Sequence, residues 1–219
     1  MAEPIRVLLV DDDPFVRSGL RLLLSSSERF DVVGEASDGD EVVAAVGRCS
    51  PDVVLMDLRM ARVDGVAATE AVQRLADPPY VVVLTTWDVD EAVTRSVAAG
   101  ASGYILKSAG PDEIMRALAA VASGDAMLSP SSTRQLLEAL RRRDDSPRAE
   151  ASARMSQLTD RERAIAIAVA EGLTNAEIGR RLFLADATVK SHLAAIQTKL
   201  GLANRTMLAV LAERAGLVT

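Results

Sequence analysis

What this sequence lacks narrows it before any motif is read. A single cysteine, Cys49, cannot form a disulfide within the chain, which fits a reducing compartment. A single histidine, His192, leaves no Ser-His-Asp triad, and nothing supports hydrolysis; His192 reads as a backbone-facing or packing residue. Aromatic residues make up 3% of the chain, so the core must be built from Ala, Val and Leu. No apolar run approaches the roughly 18 residues that a membrane helix requires. Met1–Pro4 is too short and too acidic for a signal peptide, so a cytoplasmic protein without a membrane partner is expected. No G-x-G-x-x-G follows the first apolar run. Asp11-Asp12-Asp13 stands there instead and would repel a pyrophosphate unless a metal intervened.

What is present is unevenly charged. Residues 1–128 carry 11 basic against 21 acidic side chains, whereas residues 150–219 carry 9 against 7. An acidic front and a mildly basic back suggest two domains with different partners.

The front half alternates short apolar runs with amphipathic stretches. Strands are expected at Ile5–Val10, Asp31–Ala36, Val53–Met56, Tyr80–Leu84 and Gly103–Leu106. Helices are expected after Asp13-Pro14, with Asp13 as N-cap, and over Glu41–Arg48, 66–76, Asp88–Ala99 and Pro111–Ser123. Asp38-Gly39 reads as a turn. Five strands alternating with five helices make a doubly wound parallel sheet covered on both faces. Ser129–Thr133 should start a helix carrying Leu136, Leu137 and Leu140, and Arg141–Pro147 reads as a charged linker. From Leu158 the pattern is helical throughout. Thr159-Asp160-Arg161-Glu162 is a capping box, and helices are expected over 160–170, Asn175–Leu182, 187–200 with Asp186 as cap, and 205–215. Domain boundaries follow at 1–124, 125–155 (linker) and 156–219.

The carboxyl ends of parallel strands form the ligand crevice of an open α/β sheet. Here they carry Asp11 and Asp12, Asp57, Thr85 and Lys107. Like charges a few Å apart repel by roughly 4 kcal/mol per pair at an effective dielectric near 20, which favours a raised pKa or a hard divalent cation. Carboxylates beside Mg2+, with a hydroxyl and an ammonium, suit attack on a phosphoryl donor.

Asp11-Asp12, Asp57, Thr85, Gly100–Tyr104 and Lys107 resemble the receiver domain of two-component response regulators over about residues 5–122. The resemblance implies a flavodoxin-like sheet and phosphoryl transfer to Asp57 from a sensor histidine kinase. It implies Mg2+ held by Asp12, Asp57 and the backbone carbonyl of Arg59, with Asp11 acting through water. Thr85 and Lys107 would contact phosphoryl oxygens, and Tyr104 would turn inward on activation. Two positions depart from the usual pattern. Ala61 and Ser108 stand where proline is common, and Ala61 leaves the loop after Asp57 less restrained.

In the back half, Val189, Leu193, Ile196 and Leu200 should pack inward and leave Lys190, Ser191, Ala194 and Thr198 facing out. Small residues around a lysine suit entry into a major groove, and Thr174, Thr188, Lys199 and Arg205 suit phosphate contacts. Leu158–Arg163, Gly172–Ile178, Thr188–His192 and Lys199-Leu200 resemble the LuxR-type helix-turn-helix DNA-binding domain, a small four-helix all-α unit. That resemblance places base contacts on Lys190, Ser191 and Ala194, and backbone contacts on Asn175 and Thr188. A receiver joined to such a domain is the arrangement of NarL/FixJ-type regulators, which implies double-stranded promoter DNA and an activated homodimer as partners, and no separate enzymatic activity. Two rivals remain. An aspartyl phosphatase could use Asp11 and Asp13, but Asp13 precedes proline at a helix start and the residues after Leu158 would have no role. A receiver that is never phosphorylated could serve as a dimerisation module.

Arg59 and Trp87, each two residues beyond a site residue, are large enough to flank the site entrance and hinder water. Arg59→Ala and Trp87→Ala should each shorten the phosphoryl lifetime, measured as radiolabel loss after removal of the donor. An unchanged rate in both would exclude this shielding.

Overall fold

The computed structural model describes residues 3–85, 90–125 and 148–218, without the side chains of 90–93 and 149. Trp87, the helix expected after Ser129 and the arginines of the Arg141–Pro147 stretch lie outside the described residues. The chain divides into two compact units. Among the described residues, the first runs to Ala122, and the second takes Ser123–Asp125 and residues 148–218.

The first unit is a parallel sheet with strands β1 (Ile5–Val10), β2 (Phe30–Ala36), β3 (Val53–Asp57), β4 (Tyr80–Thr85) and β5 (Gly103–Leu106). Their order is β2-β1-β3-β4-β5, which puts β3 in the middle. All of Val53–Asp57 is buried, as expected of a strand covered on both faces. Helices α1 (Pro14–Ser25), α2 (Val42–Cys49), α3 (Gly65–Gln73), α4 (Asp90–Ala98) and α5 (Pro111–Ala122) fill the crossovers. On one face Leu9, Leu55, Val82, Leu84 and Ile105 pack against Leu20 and Leu24 of α1 and Leu118 and Val121 of α5. Each such side chain contributes about 1.5–3 kcal/mol when fully buried. The local signals hold: Asp13 caps α1 by accepting the Phe15 N–H at 2.8 Å, and Pro14 occupies the first turn. Boundaries shift by one to three residues, most at α3, which starts at Gly65 and ends at Gln73.

The second unit contains α6 (Arg148–Met155), α7 (Asp160–Ala170), α8 (Asn175–Leu182), α9 (Asp186–Leu200) and α10 (Arg205–Arg214). Two expectations are corrected. Residues 148–155 were expected within the linker, yet Ala151 and Met155 of α6 join the core formed by Ile165, Ile178, Leu193, Ile196 and Leu208. The apolar pair lies four apart in an otherwise polar stretch, and only its partners reveal it as a core face. Asp186 is the first residue of α9 rather than its cap; Ala185 holds the N-cap and has no side-chain bond to offer.

Gly65 shows how tightly the end of β3 is packed. A Cβ there would lie 2.1 Å from the carbonyl oxygen of Asp57 and 2.9 Å from Leu58 Cα, both backbone atoms. Gly65→Ala should therefore destabilise the fold by about 1–3 kcal/mol, read from urea midpoints. Gly47, in the exposed part of α2 with nothing within 4 Å of its added Cβ, is the control. Gly47→Ala should gain about 0.5–1 kcal/mol.

Candidate phosphoacceptor and DNA-binding sites

Sheet register delivers the first site. Val10 pairs with Met56, so Asp11, the next residue, comes beside Asp57. Asp57 pairs with Leu84, and Thr85 with Leu106, so Thr85 and Lys107 follow at the same edge. The Lys107 N–H donates to the Thr85 carbonyl at 2.6 Å and extends that pairing. Asp11, Asp57 and Thr85 are buried, while Asp12 is exposed beside them.

Carboxylate oxygens of Asp11, Asp12 and Asp57 lie within 4.8 Å of one another. Lys107 Nζ sits 2.6 Å from Asp11 Oδ2 and 3.1 Å from Asp57 Oδ2. Burial raises the Asp57 carboxyl above the usual range; Lys107 opposes the rise and Asp11 adds to it. The Arg59 N–H also bonds the Asp57 carboxylate. Burial works against the Lys107 ammonium, but Asp11 and Asp57 outweigh it, and its pKa is raised. Asp11 Oδ2 is buried and receives no well-directed hydrogen bond; the 2.6 Å approach of Lys107 is an ion pair by distance only. Three carboxylates converging on one ammonium leave excess negative charge and several oxygen ligands, which fits a hard divalent cation of the Mg2+ kind. Tyr104 is buried, and the Lys107-Ser108 peptide is trans.

Two residues behind this edge were read from the sequence as no more than a turn and a loop position. Asp38 accepts the backbone N–H groups of Gly39 (2.8 Å), Arg62 (2.9 Å) and Val63 (2.8 Å). Arg62 forks onto Asp40 with two 2.8 Å bonds and reaches Glu41 at 2.8 Å. An Asp-Gly pair is a turn signal in any sequence, and nothing local pairs it with residues 24 positions away.

The second site is the helix pair α8–α9. Their junction is Phe183-Leu184-Ala185, with Phe183 in the left-handed region (φ 54°) and the Leu184 N–H returning to the Gly179 carbonyl at 2.9 Å. A Cβ on Gly179 would stand 2.7 Å from the Leu184 carbonyl oxygen, so the turn closes only over glycine. Val189, Leu193, Ile196 and Leu200 are buried. Thr188, Lys190, Ser191, Ala194, Thr198 and Lys199 are exposed along the rest of α9. Lys190 pairs with Asp186 at 3.3 Å, and Ser191 Oγ donates to the Ala187 carbonyl at 3.0 Å.

Asn175 and Arg205, expected at the DNA backbone, are placed otherwise. Both are buried. The Arg205 guanidinium donates to the Leu173 carbonyl, to Asn175 Oδ1 at 2.5 Å and to Asp125 Oδ1 at 3.2 Å. The Asn175 N–H also donates to Asp125, at 2.9 Å. Burial lowers the Arg205 pKa, and Asp125 offsets part of that loss. A buried cation needs partners, and α8, α10 and Asp125 supply them, so neither side chain lies on the exposed face of α9. Lys199 is exposed but bound to Glu162, at 2.8 Å.

Two family models match the chain: the response regulator receiver domain over residues 7–119, and the luxR family of bacterial regulatory proteins over 156–212. The transcriptional regulatory protein LiaR of Bacillus subtilis is 41% identical over 98% of this chain and 99% of its own length. The nitrate/nitrite response regulator NarL of Escherichia coli is 35% identical over 95% of this chain and 94% of its own. The crystal structure of ChrA, a response regulator of a heme-sensing two-component system, superposes with a TM-score of 0.54 at 35% identity, covering 99% and 100% of the two chains.

Lys199, then the Thr159 N–H, lower the Glu162 carboxyl to about 2. A depressed carboxylate stabilises the fold above its unfolded value and loses that contribution as pH falls through its folded one. The capping box should therefore weaken between about pH 4.5 and 2. Glu162→Gln should flatten the acid limb of a melting-temperature profile over that window and leave the difference from the parent constant near pH 7.

Proposed function

We propose a function on the ground that the chain belongs to the two-component response regulators of the NarL and LiaR type, a receiver domain joined to a luxR-type DNA-binding domain: Asp57 is the phosphoacceptor, and its phosphorylation controls binding to promoter DNA. The observation that carries this reading is the convergence of Asp11, Asp12, Asp57, Thr85 and Lys107 at one sheet edge. An Asp57 carboxylate oxygen attacks phosphorus of a phosphohistidine on a sensor kinase. The bond from phosphorus to the histidine nitrogen breaks, and an acyl phosphate forms. Asp12, Asp57 and the Arg59 carbonyl would hold Mg2+, with Asp11 acting through water. When bound, the ion supplies charge neutralisation for the transferring phosphoryl oxygens. Lys107 gives up part of its pairing with Asp57 to a phosphoryl oxygen, and the Thr85 hydroxyl takes another.

Phosphorylation adds roughly −1.5 to −2 charges where one carboxylate stood. Thr85 moves towards it, Tyr104 and the face of α4 repack, and the altered surface dimerises. Two copies of α9 then meet two half-sites, with Lys190, Ser191 and Ala194 at base edges and Thr188 and Lys199 at phosphates. Short side chains at Ser191 and Ala194 leave much of the sequence preference to Lys190 and DNA shape. Lys190 must exchange Asp186, and Lys199 must exchange Glu162, for DNA, which weakens monomer binding and makes dimerisation matter. The protein acts in the cytoplasm as a regulator, with phosphotransfer and dephosphorylation its only chemistry; among the described residues no helix is long and apolar enough to cross a membrane.

Acetyl phosphate with Mg2+ should add one phosphoryl group to the parent, seen by intact mass. It should add none to Asp57→Asn or in excess EDTA. Phosphorylated parent should shift from monomer to dimer in light scattering and enrich a two-half-site sequence from random DNA. Labelling that survives Asp57→Ala but not Asp11→Ala would favour the phosphatase alternative. No labelling at all would favour a receiver that only dimerises.

A further inference from the structure

The loop from Leu58 to Gly65 carries Arg59 and returns on itself, because the Gly65 N–H donates to the Leu58 carbonyl at 3.0 Å. Its base is therefore fixed. Its tip, Ala61–Val63, has no intrinsic stiffness: Ala61 does not restrict φ as proline would. What holds the tip is the segment that follows β2. Asp38, buried, accepts two N–H groups from the tip, at Arg62 and Val63, and one from Gly39. Gly39 touches the same tip so closely that a Cβ would stand 2.4 Å from the Val63 carbonyl oxygen. Outside this layer, Arg62 closes on Asp40 and Glu41, and Glu41 is itself fixed by the Ser37 N–H and hydroxyl at 2.9 Å each. One carboxylate thus satisfies three backbone donors, two of them 24 and 25 residues away.

We infer that Asp38, backed by Arg62, is a positioning residue for the phosphoacceptor site: it fixes the loop that presents the Arg59 carbonyl to the cation and the Arg59 N–H to Asp57. The inference rests on the phosphoacceptor reading above. Only Met60 and Ala61 separate Arg59 from Arg62, and the Arg59 N–H already bonds the Asp57 carboxylate. Release of the tip would let the Arg59 peptide rotate, and one ligand of the cation would lose its fixed direction. Asp38 touches neither cation nor phosphoryl group; it acts through the backbone between them. Groups that orient metal ligands without touching the metal typically change its affinity by about 10- to 100-fold when removed.

The test uses the full chain and reads the Mg2+ concentration that gives half-maximal phosphorylation of Asp57 by acetyl phosphate, well below each variant's melting temperature. Asp38→Ala should raise that concentration by about 10-fold or more, and Arg62→Ala should raise it less, in the same direction. Val72→Ala, which removes volume from the buried side of α3, is the stability control. It should lower the melting temperature and leave the Mg2+ requirement unchanged. A half-point for Asp38→Ala within about twofold of the parent would overturn the inference. Should Asp38→Ala not fold, Arg62→Ala decides alone, since that side chain is 54% exposed and its loss is tolerable; an unchanged half-point overturns the inference again. A parent that takes up no phosphoryl group at any Mg2+ concentration overturns the phosphoacceptor reading itself, and the inference with it.

Discussion

Asp11 and Asp57 stand side by side, buried, at the ends of adjacent parallel strands, and their mutual repulsion organises the edge around them. Two like charges at this spacing cost roughly 4 kcal/mol at an effective dielectric near 20. Lys107, just after β5, reaches both, with β3 and β4 lying between β5 and β1. It neutralises part of the charge, while Asp12 beside them adds a third carboxylate, so a net negative charge remains at this edge. A residual charge of this kind favours a raised carboxyl pKa, as at Asp57, or a hard cation beside the carboxylates. The same imbalance that costs stability suits this edge to charge-driven chemistry.

The charged edge sits in a rigid frame. The core of the sheet is aliphatic and almost without aromatic side chains, with five consecutive buried residues in β3. Gly65 lies against the Asp57 carbonyl, and the β3–α3 loop closes over it. Asp38 and Arg62 then tie the loop tip to the end of β2, so the residues around Asp57 are held from two directions. Charge is free to redistribute at Asp57 because the backbone is not.

In the second unit the same economy of surface charge appears in a different use. The exposed stripe of α9 offers small side chains and two lysines, and both lysines are already paired with carboxylates, Asp186 and Glu162. Arg205, one of the residues the sequence suggested for phosphate contacts, is instead internal and joins α8, α10 and Asp125. A mildly basic composition therefore overstates the positive charge available to a phosphate backbone.

Patterns of short range were legible in the sequence. Strand and helix order, the Asp13 and Thr159 caps, the buried stripe of α9 and the residues at the strand ends all follow from spacing of two or 3.6 and from local hydrogen-bonding chemistry. What required the tertiary structure was every pairing across distance. The sequence does not say that α6 would leave the linker to bury Ala151 and Met155, because two apolar residues four apart become a face only when a core meets them. It does not show Asn175 and Arg205 turning inward, because a basic side chain reads as exposed until its buried partners are known. Nor does it mark Asp38 as more than a turn residue, since its three donors include two from a loop 24 and 25 positions later. Local chemistry set which residues could form the two sites; the packing of elements far apart in the chain decided which of them do.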